Sequence, residues 1–522
     1  MKHLFDSVAA RVRAAVPAAV LGVGLASGAA LADDIPARPD QLVFPQLQFE
    51  PPKAADFRTT FSNGMVAYLV PDRGLPLVTV NVLMRIGPDL DPEGKEGTAA
   101  GAVHLLTRSG TTTRNAEQLE ERVAFLGAQL ESSMGGGGGG IFGIGGVPIG
   151  PAESRVTLNL LSKDIDEGLA LLVECLKTPA FQKDRVDLAR DQVMQQMKRR
   201  NDESTSIEDY QWGLLARGEG HWTNRHTTEG SVKSVTVDDM KAFHRRYVGP
   251  KNFILAVSGD FDRASMKKKL EGAFAKWPQA GERPGAPAAP TAAMASGWHL
   301  CDKDVNQGRV SIGIRSLDRY DPDFFAARVM NYILGGGGFS SRLVNRIRSD
   351  EGLAYSVRST IEGGTYYADP FRVVFQSKVR SVAYATQIAL QELTKMRDSV
   401  VTDAELSLAK NSFIETFPTL FDNPTAVAGV LAVEELTGRY QRDPRYFQTY
   451  RDRIAAVTAQ DVQRMARRLI DPAKMTVLMV GNTKDMLLGD PKHDAGIAAM
   501  AGGEPARLPL RDPMTMKAMP LP

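Results

Sequence analysis

Cysteine is nearly missing: Cys175 and Cys301 are the only two in 522 residues. Two such distant residues do not make a disulfide framework. Neither belongs to a CxxC or Cys/His cluster of the kind that binds metal. Both are expected to be buried free thiols, Cys175 in an apolar helical stretch (LALLVECL) and Cys301 at the start of a strand. Net charge is also scarce. Lys and Arg total 63 against 61 Asp and Glu, a formal balance of +2. Without a clustered basic face, nucleic acid is not an expected partner. Histidines are few, and His221, His226, His244, His299 and His493 show no ligand spacing; His221 and His226 would fall on different faces of a helix. All five are expected to be structural or exposed.

Long hydrophobic runs are absent beyond the N-terminus. No other stretch approaches the ~18 unbroken apolar residues of a membrane span. The N-terminal stretch has its own logic. Lys2, Arg11 and Arg13 precede an apolar, small-residue segment from Ala14 to Ala32, which ends in Ala30-Leu31-Ala32 before Asp33-Asp34. This pattern predicts a secretory signal peptide over 1–32, cleaved after Ala32. It implies export, with the periplasm as the expected compartment. No Cys lies near the cut, which argues against a lipid-anchored product.

What the chain does contain is itself, twice. Residues Val235 to Gly259 (VTVDDMKAFHRRYVGPKNFILAVSG) align without a gap on Val457 to Gly481 (VTAQDVQRMARRLIDPAKMTVLMVG). Each copy reads as a helix, a Pro-containing turn and a strand of continuous apolar residues. Val78, Val80, Val82, Met84 and Ile86 alternate as in a half-buried strand, and Val310, Ile312 and Ile314 do the same in the second half. Leu119, Val123 and Leu126 mark a helix face that ends at Gly127; Val186, Val193 and Met197 mark another. The composition at 278–297 is rich in Pro, Ala and Gly and reads as a linker. The expected organisation is therefore an extension at 33–55, one domain at 56–277, a second at 298–488, and a mobile tail at 489–522.

Within this frame two stretches carry a resemblance. Leu334 to Val357 reads LGGGGFSSRLVNRIRSDEGLAYSV, and the first half contains NGMVAYLVPD from Asn63 and later GTAAGAVHLLTRSGTTTR. In this order, with a duplicated domain, the chain resembles the M16 (pitrilysin/insulinase) peptidases over roughly residues 55 to 485. The resemblance implies two homologous α+β roll domains, each a mostly antiparallel sheet with helices on one face, together forming half of a clam shell. In active members H-x-x-E-H on a helix presents two imidazoles to one zinc, with the Glu between them placed to activate water.

By register, Ala100, Val103 and His104 stand where the first His, the Glu and the second His belong. The third ligand would fall near Ala189, with Asp187 and Asp191 close by, on a helix without Glu. One His is a poor zinc site, and loss of the general base alone typically costs a factor of 10² to 10⁴. No catalytic residue and no metal or other cofactor is therefore expected in this chain, and His104 is expected to pack as a relic within the helices.

The other half of the family's machinery is present. In R-x-x-x-G-L-x-Y, Arg348 and Tyr355 match the pair that binds the peptide main chain and polarises its carbonyl. An Arg donates a fork of hydrogen bonds and a Tyr hydroxyl can donate to an oxyanion. Gly335, Gly336, Gly337 and Gly338 resemble a loop that guides substrate; read from composition alone they are a tight turn and helix start. They lack the G-K-[ST] of a phosphate loop. The run Gly135 to Gly140, continuing to Gly150, reads as a flexible insertion. The resemblance implies a non-catalytic, substrate-binding subunit that pairs with an H-x-x-E-H subunit, the zinc residing in that partner, and acts on unfolded peptides. Two alternatives stand beside it: an assembly scaffold with no proteolytic role, and an autonomous metallopeptidase with a rebuilt metal site.

Overall fold

The apolar strand that closes each repeat becomes the middle of a sheet. A computed structural model describes residues 48–136, 148–275, 277, 281–361 and 363–521. The expected signal peptide and most of the Gly135 to Gly150 run lie outside the described residues. The chain divides into a unit Met1–Gln48 and a unit Phe49–Pro522, and the second holds both sheets. The first sheet is built from β1 (Arg58–Thr60), β2 (Val66–Pro71), β3 (Leu77–Met84), β4 (Gln129–Met134), β5 (Ser154–Leu161) and β6 (Phe253–Gly259). Its order is β1-β2-β6-β3-β5-β4. The second is built from β7 (Gly297–Asp302), β8 (Gln307–Arg315), β9 (Ala354–Thr360), β10 (Pro370–Lys378), β11 (Thr476–Gly481) and β12 (Ala506–Leu508). Its order is β12-β7-β11-β8-β10-β9. Only β2/β6, β7/β11 and β7/β12 pair in parallel, so both sheets are mostly antiparallel.

The helices that position the site are α1 (Thr98–Leu105), α2 (Ile165–Lys177), α3 (Lys183–Lys198), α4 (Ser204–Arg217), α5 (Val237–Tyr247), α6 (Val382–Asp398), α7 (Pro424–Leu436) and α8 (Ala459–Leu469). The repeat is legible in their caps. Thr236 caps α5 in a box with Asp239, and Thr458 caps α8 in a box with Asp461. Lys95 and the box bonds hold the Asp239 carboxyl down at about 2, and the Thr458 bonds with Arg464 hold Asp461 there as well. Gly259 ends β6 at φ 120°, where a Cβ would stand 2.0 Å from the Leu77 carbonyl oxygen, so the exit from the strand tolerates only glycine.

One face of each sheet is covered by helices of its own half. Val80, Val82, Leu255 and Val257 pack with Leu105, Leu172, Met240 and Phe243. Val310, Ile312, Phe371 and Val477 pack with Ile388, Leu393, Val462 and Met465. The opposite face is where the structure departs from the expected half-buried strands. There the halves exchange helices. From the second half, α7 lays Ala428, Leu431, Ala432 and Leu436 on Val66, Tyr68, Ile254 and Ala256. From the first half, α4 lays Ile207, Tyr210 and Trp212 on Cys301, Leu478 and Val480. As a result β3 is buried on both faces, and its polar Thr79 and Asn81 are satisfied by Asn159 and Thr157, each at 2.7 Å. Glu435 of α7 is buried, and accepts hydrogen bonds from Tyr68 (2.8 Å), Arg58 (3.0 Å) and Gln441 (2.9 Å).

The connecting segment has no helix or strand from 281 to 296, as its composition implies, yet it is fastened. Trp222 Nε1 donates to the Ala288 carbonyl (3.1 Å), Arg315 to Ala292 (2.8 Å), and Arg283 to Leu436 (2.9 Å). The last segment corrects the expectation of a loose tail. It supplies β12 in parallel to β7, closing an edge whose backbone groups would otherwise lack partners. Beyond β12 it receives hydrogen bonds from the first half: Gln211 to Pro509 (2.7 Å), Asn201 to Arg511 (2.8 Å) and Arg200 to Pro513 (2.9 Å). Among the described residues no helix is long and apolar enough to cross a membrane.

Candidate functional site

Helix α1 begins at Gly97, whose φ of 103° leaves it outside the helix. Asp91 supplies the cap from a distance, its carboxylate accepting from Gly97 N (2.8 Å) and Ala99 N (2.6 Å). Burial pushes this carboxyl up to about 6 against those bonds. The helix buries Ala99, Ala102, Val103 and Leu105 and turns Ala100, Gly101 and His104 toward a cavity of about 440 Å³. The opposite wall is α3, which contributes Val186, Ala189, Val193 and Gln196, residues three to four apart on one face.

The structure therefore brings Ala100, His104 and Ala189 to one space. Two expectations are corrected. Val103 does not join them; it is 1% exposed in the core under the first sheet, because its position on the helix turns it inward. Nor is His104 packed among the helices: it lies exposed on the cavity wall. The crowding of its ring and the nearby Arg108 hold its pKa below the ordinary imidazole value. Asp187 and Asp191 are not among the cavity's lining residues, and Asp187 is engaged by Lys183 (2.5 Å) and Arg190 (2.6 Å). Among the described residues no three His, Cys, Asp or Glu stand together as a metal site. One imidazole, two alanines and a buried valine do not fit a zinc ion.

The second set of residues sits at the far edge of the second sheet. Chain 344–350 forms a π-helical turn, a departure from α-geometry often found at functional positions. Val344 and Ile347 anchor it in the core, and Arg342 makes a forked pair with Glu405 (2.6 and 2.9 Å). Arg348 emerges from this anchored turn. Tyr355 is the second residue of β9 and is 84% exposed. The Arg348 guanidinium carbon lies 4.7 Å from the Tyr355 ring centroid and 4.7 Å from that of Phe339, itself 70% exposed. Among the described residues no carboxylate pairs with Arg348. Its fork of donors is therefore held by two rings and is free for a ligand.

The glycines serve this arrangement through close approach. Gly335 and Gly336 fall in a second π-helical turn, 332–336. A Cβ on Gly335 would meet Ser359 N at 2.7 Å, so the turn can lie against β9 only without a side chain. Gly338 has φ 59° and delivers the chain to Phe339. Phe339 escaped the reading of the sequence. The signal for it was an aromatic set between four glycines and two serines.

The remaining histidines and the thiols match their expected roles. His221 bonds Thr223 Oγ1 (2.8 Å) and the Ala288 carbonyl (3.1 Å), His244 bonds the Leu176 carbonyl (2.7 Å), and His493 stacks on Tyr384 at 3.7 Å. Cys175 and Cys301 are buried and free, and burial pushes both thiols up to about 12.

Comparison with known proteins agrees with this geometry. Residues 234–413 match the family described as Peptidase M16 inactive domain. An "Uncharacterized zinc protease" of Mycobacterium tuberculosis is 26% identical over 428 residues, 79% of this chain and 90% of that protein. A protein of Arabidopsis thaliana named "Probable mitochondrial-processing peptidase subunit beta" is 22% identical over 451 residues, 82% of this chain and 78% of its own length. The crystal structure of a peptidase M16 inactive domain from Pseudomonas fluorescens superimposes with a TM-score of 0.69 at 20% identity, covering 81% of this chain and 97% of that one. With its duplicated sheets and its Arg348 and Tyr355 motif, the chain is similar to M16 peptidases, and over residues 234–413 to the inactive domain of that family.

Proposed function

We propose that this chain is the non-catalytic, substrate-binding member of a two-chain zinc peptidase. The observation that carries the reading is a contrast within one molecule. The position that should hold metal is lined by Ala100 and Ala189, while a half-buried Arg348 stacks on an exposed Tyr355 and, among the described residues, has no acidic partner. A protein kept only as a scaffold has no use for an unneutralised guanidinium held between two rings.

In this reading the partner is an M16 chain with an intact H-x-x-E-H, and hydrolysis occurs on its zinc. Arg348 donates its fork to a peptide carbonyl, and the Tyr355 hydroxyl donates to the oxygen on which negative charge develops. The peptide is unfolded and lies as an added strand along β9, an outer strand of the second sheet. The name of the Arabidopsis relative, a subunit, supports an assembly of this kind. The N-terminal segment directs the chain out of the cytoplasm, and pairing takes place in the periplasm.

Co-expression of the chain with an H-x-x-E-H homologue tests this. The expected result is a stable heterodimer that cleaves unfolded peptides and stops when zinc is chelated, with neither chain active alone. A chain that cleaves peptides by itself in a chelator-sensitive way, or stays monomeric beside the homologue, overturns the proposal.

A further inference from the structure

Arg319, in the segment between β8 and the helix Phe324–Asn331, is 7% exposed, yet among the described residues no carboxylate is paired with it. Its Nη2 donates to the Tyr320 hydroxyl (3.0 Å) and the Thr437 carbonyl (2.7 Å), and its Nε has no partner among the described residues. A buried cation with donors left over is costly and calls for an explanation. Arg319 lines a cavity of about 490 Å³ in the second half of the chain, within the range of ligand pockets, ~300–1,000 Å³. Arg439 lines it too. Its guanidinium carbon lies 4.1 Å from the Tyr446 ring centroid, its Nη1 meets Glu434 at 3.1 Å, and its Nε is likewise without a partner.

The same cavity carries the opposite sign. Asp321, Asp323, Asp443 and Asp461 are among its lining residues. Arg453 holds Asp443 (2.7 Å), Arg464 holds Asp323 (2.5 Å) and Asp461 (2.9 Å), and Arg468 holds Asp321 (2.6 Å) and Asp323 (2.9 Å). Four carboxylates thus share three guanidiniums, while Arg319 has none. Phe325, Ala326 and Val457 add apolar surface. A simple anion would suit Arg319 and Arg439 but meet the aspartates, and a simple cation would meet the reverse. A ligand with a carboxylate, an ammonium and an apolar body satisfies all three kinds of surface.

We propose that this cavity binds a small zwitterion, a free amino acid or a dipeptide with an apolar side chain. Its carboxylate takes the open donors of Arg319 and Arg439, and its ammonium takes the shared aspartates. None of the lining residues belongs to the stack of Phe339, Arg348 and Tyr355. The site therefore needs no partner chain, and its test is independent of the proposed heterodimer. Peptide hydrolysis is a class of reaction that supplies such a ligand.

The test is isothermal titration calorimetry on the full chain with leucyl-phenylalanine, its C-terminal amide, its N-acetyl form and free phenylalanine. The uncapped dipeptide or the free amino acid is expected to bind, and each cap to weaken the dipeptide about tenfold or more, the cost of leaving a charged group unpaired. The capped peptides need no variant. Arg439→Gln should weaken the uncapped ligand by about the same factor. Failure of both uncapped ligands to bind, or binding indifferent to the caps, overturns the proposal. Binding that is lost in Arg348→Ala and kept in Arg439→Gln places the ligand at the sheet edge, which overturns the cavity site while leaving the proposed function standing.

Discussion

The guanidinium carbon of Arg348 lies 4.7 Å from the ring centroid of Tyr355, and Phe339 stands at the same distance from it. Phe339, Arg348 and Tyr355 thus form one stack at a sheet edge, with the cation clamped and its donors unspent. The stack sets the first expectation. In the heterodimer, Arg348→Ala should lower the rate of peptide hydrolysis by about 10², the cost of a scissile peptide misplaced by about 1 Å from its donors, with assembly intact by size-exclusion chromatography. Phe339→Ala removes one of two cation–π contacts worth about 0.5–1 kcal/mol at an exposed site. It should weaken substrate binding about two- to fivefold. An unchanged rate in Arg348→Ala would refute the role given to the pair.

Because Ala100 and Ala189 share a cavity with His104, the metal site should be recoverable. The double variant Ala100→His, Ala189→Glu places two imidazoles four apart on α1 opposite a carboxylate on α3. It is expected to retain one zinc per chain after dialysis, measured by elemental analysis, where the parent retains none. Hydrolysis should stay absent, since Val103 is turned into the core and supplies no base. A folded but metal-free double variant would show that the three positions do not converge.

Acid should act on the fold through two groups of opposite sign. Burial beside Arg200 and Arg511 drives His226 down to about 4 from the ordinary 6.5. Between those values the unfolded chain takes up a proton that the folded protein refuses, so this contribution to stability is lost as pH falls from 6.5 to 4. Asp91 is raised to about 6 from 3.8, so the folded protein protonates first and this group adds stability as pH falls through 6. The two nearly offset over that window. In His226→Phe the loss from this histidine is gone while the Asp91 gain remains, and the difference in Tm between variant and parent should move in the variant's favour from pH 7 to pH 4.5. A pH-independent difference in thermal melts would contradict this.

The exchanged helices couple the halves. Leu431 belongs to the second half but is buried against the first sheet. Leu431→Ala should cost about 2–5 kcal/mol of unfolding free energy, the range for truncating a core leucine. Hydrogen exchange should accelerate at Ile254 and Ala256 in β6, on the other half, as well as within α7. Loss of protection confined to 424–436 would mean that the halves are stabilised independently.

Much of the architecture was legible because it is local or periodic. The repeated helices after Val235 and Val457, the apolar strands that follow them, and the absence of a second imidazole or a Glu on the α1 helix are properties of short windows, and the structure keeps them. The burial of β3 on both faces was not legible. Its alternation of Val80 and Val82 with Thr79 and Asn81 reads as one wet face, and only a helix arriving from the other half makes that face dry. The tail was misjudged for the same reason: its sequence has little drive to order, and its partner is an edge built elsewhere.

The sequence by itself determined the duplication, the loss of the metal ligands and the survival of Arg348 and Tyr355, because each depends on residue identity at short spacing. Only the tertiary structure decided that Val103 faces the core while His104 and Ala189 share a cavity, that Phe339 completes the stack on Arg348, and that each half covers the other's sheet. Those outcomes depend on which surfaces meet across long stretches of chain, and burial, close approach and desolvation are set by that meeting rather than by any local pattern.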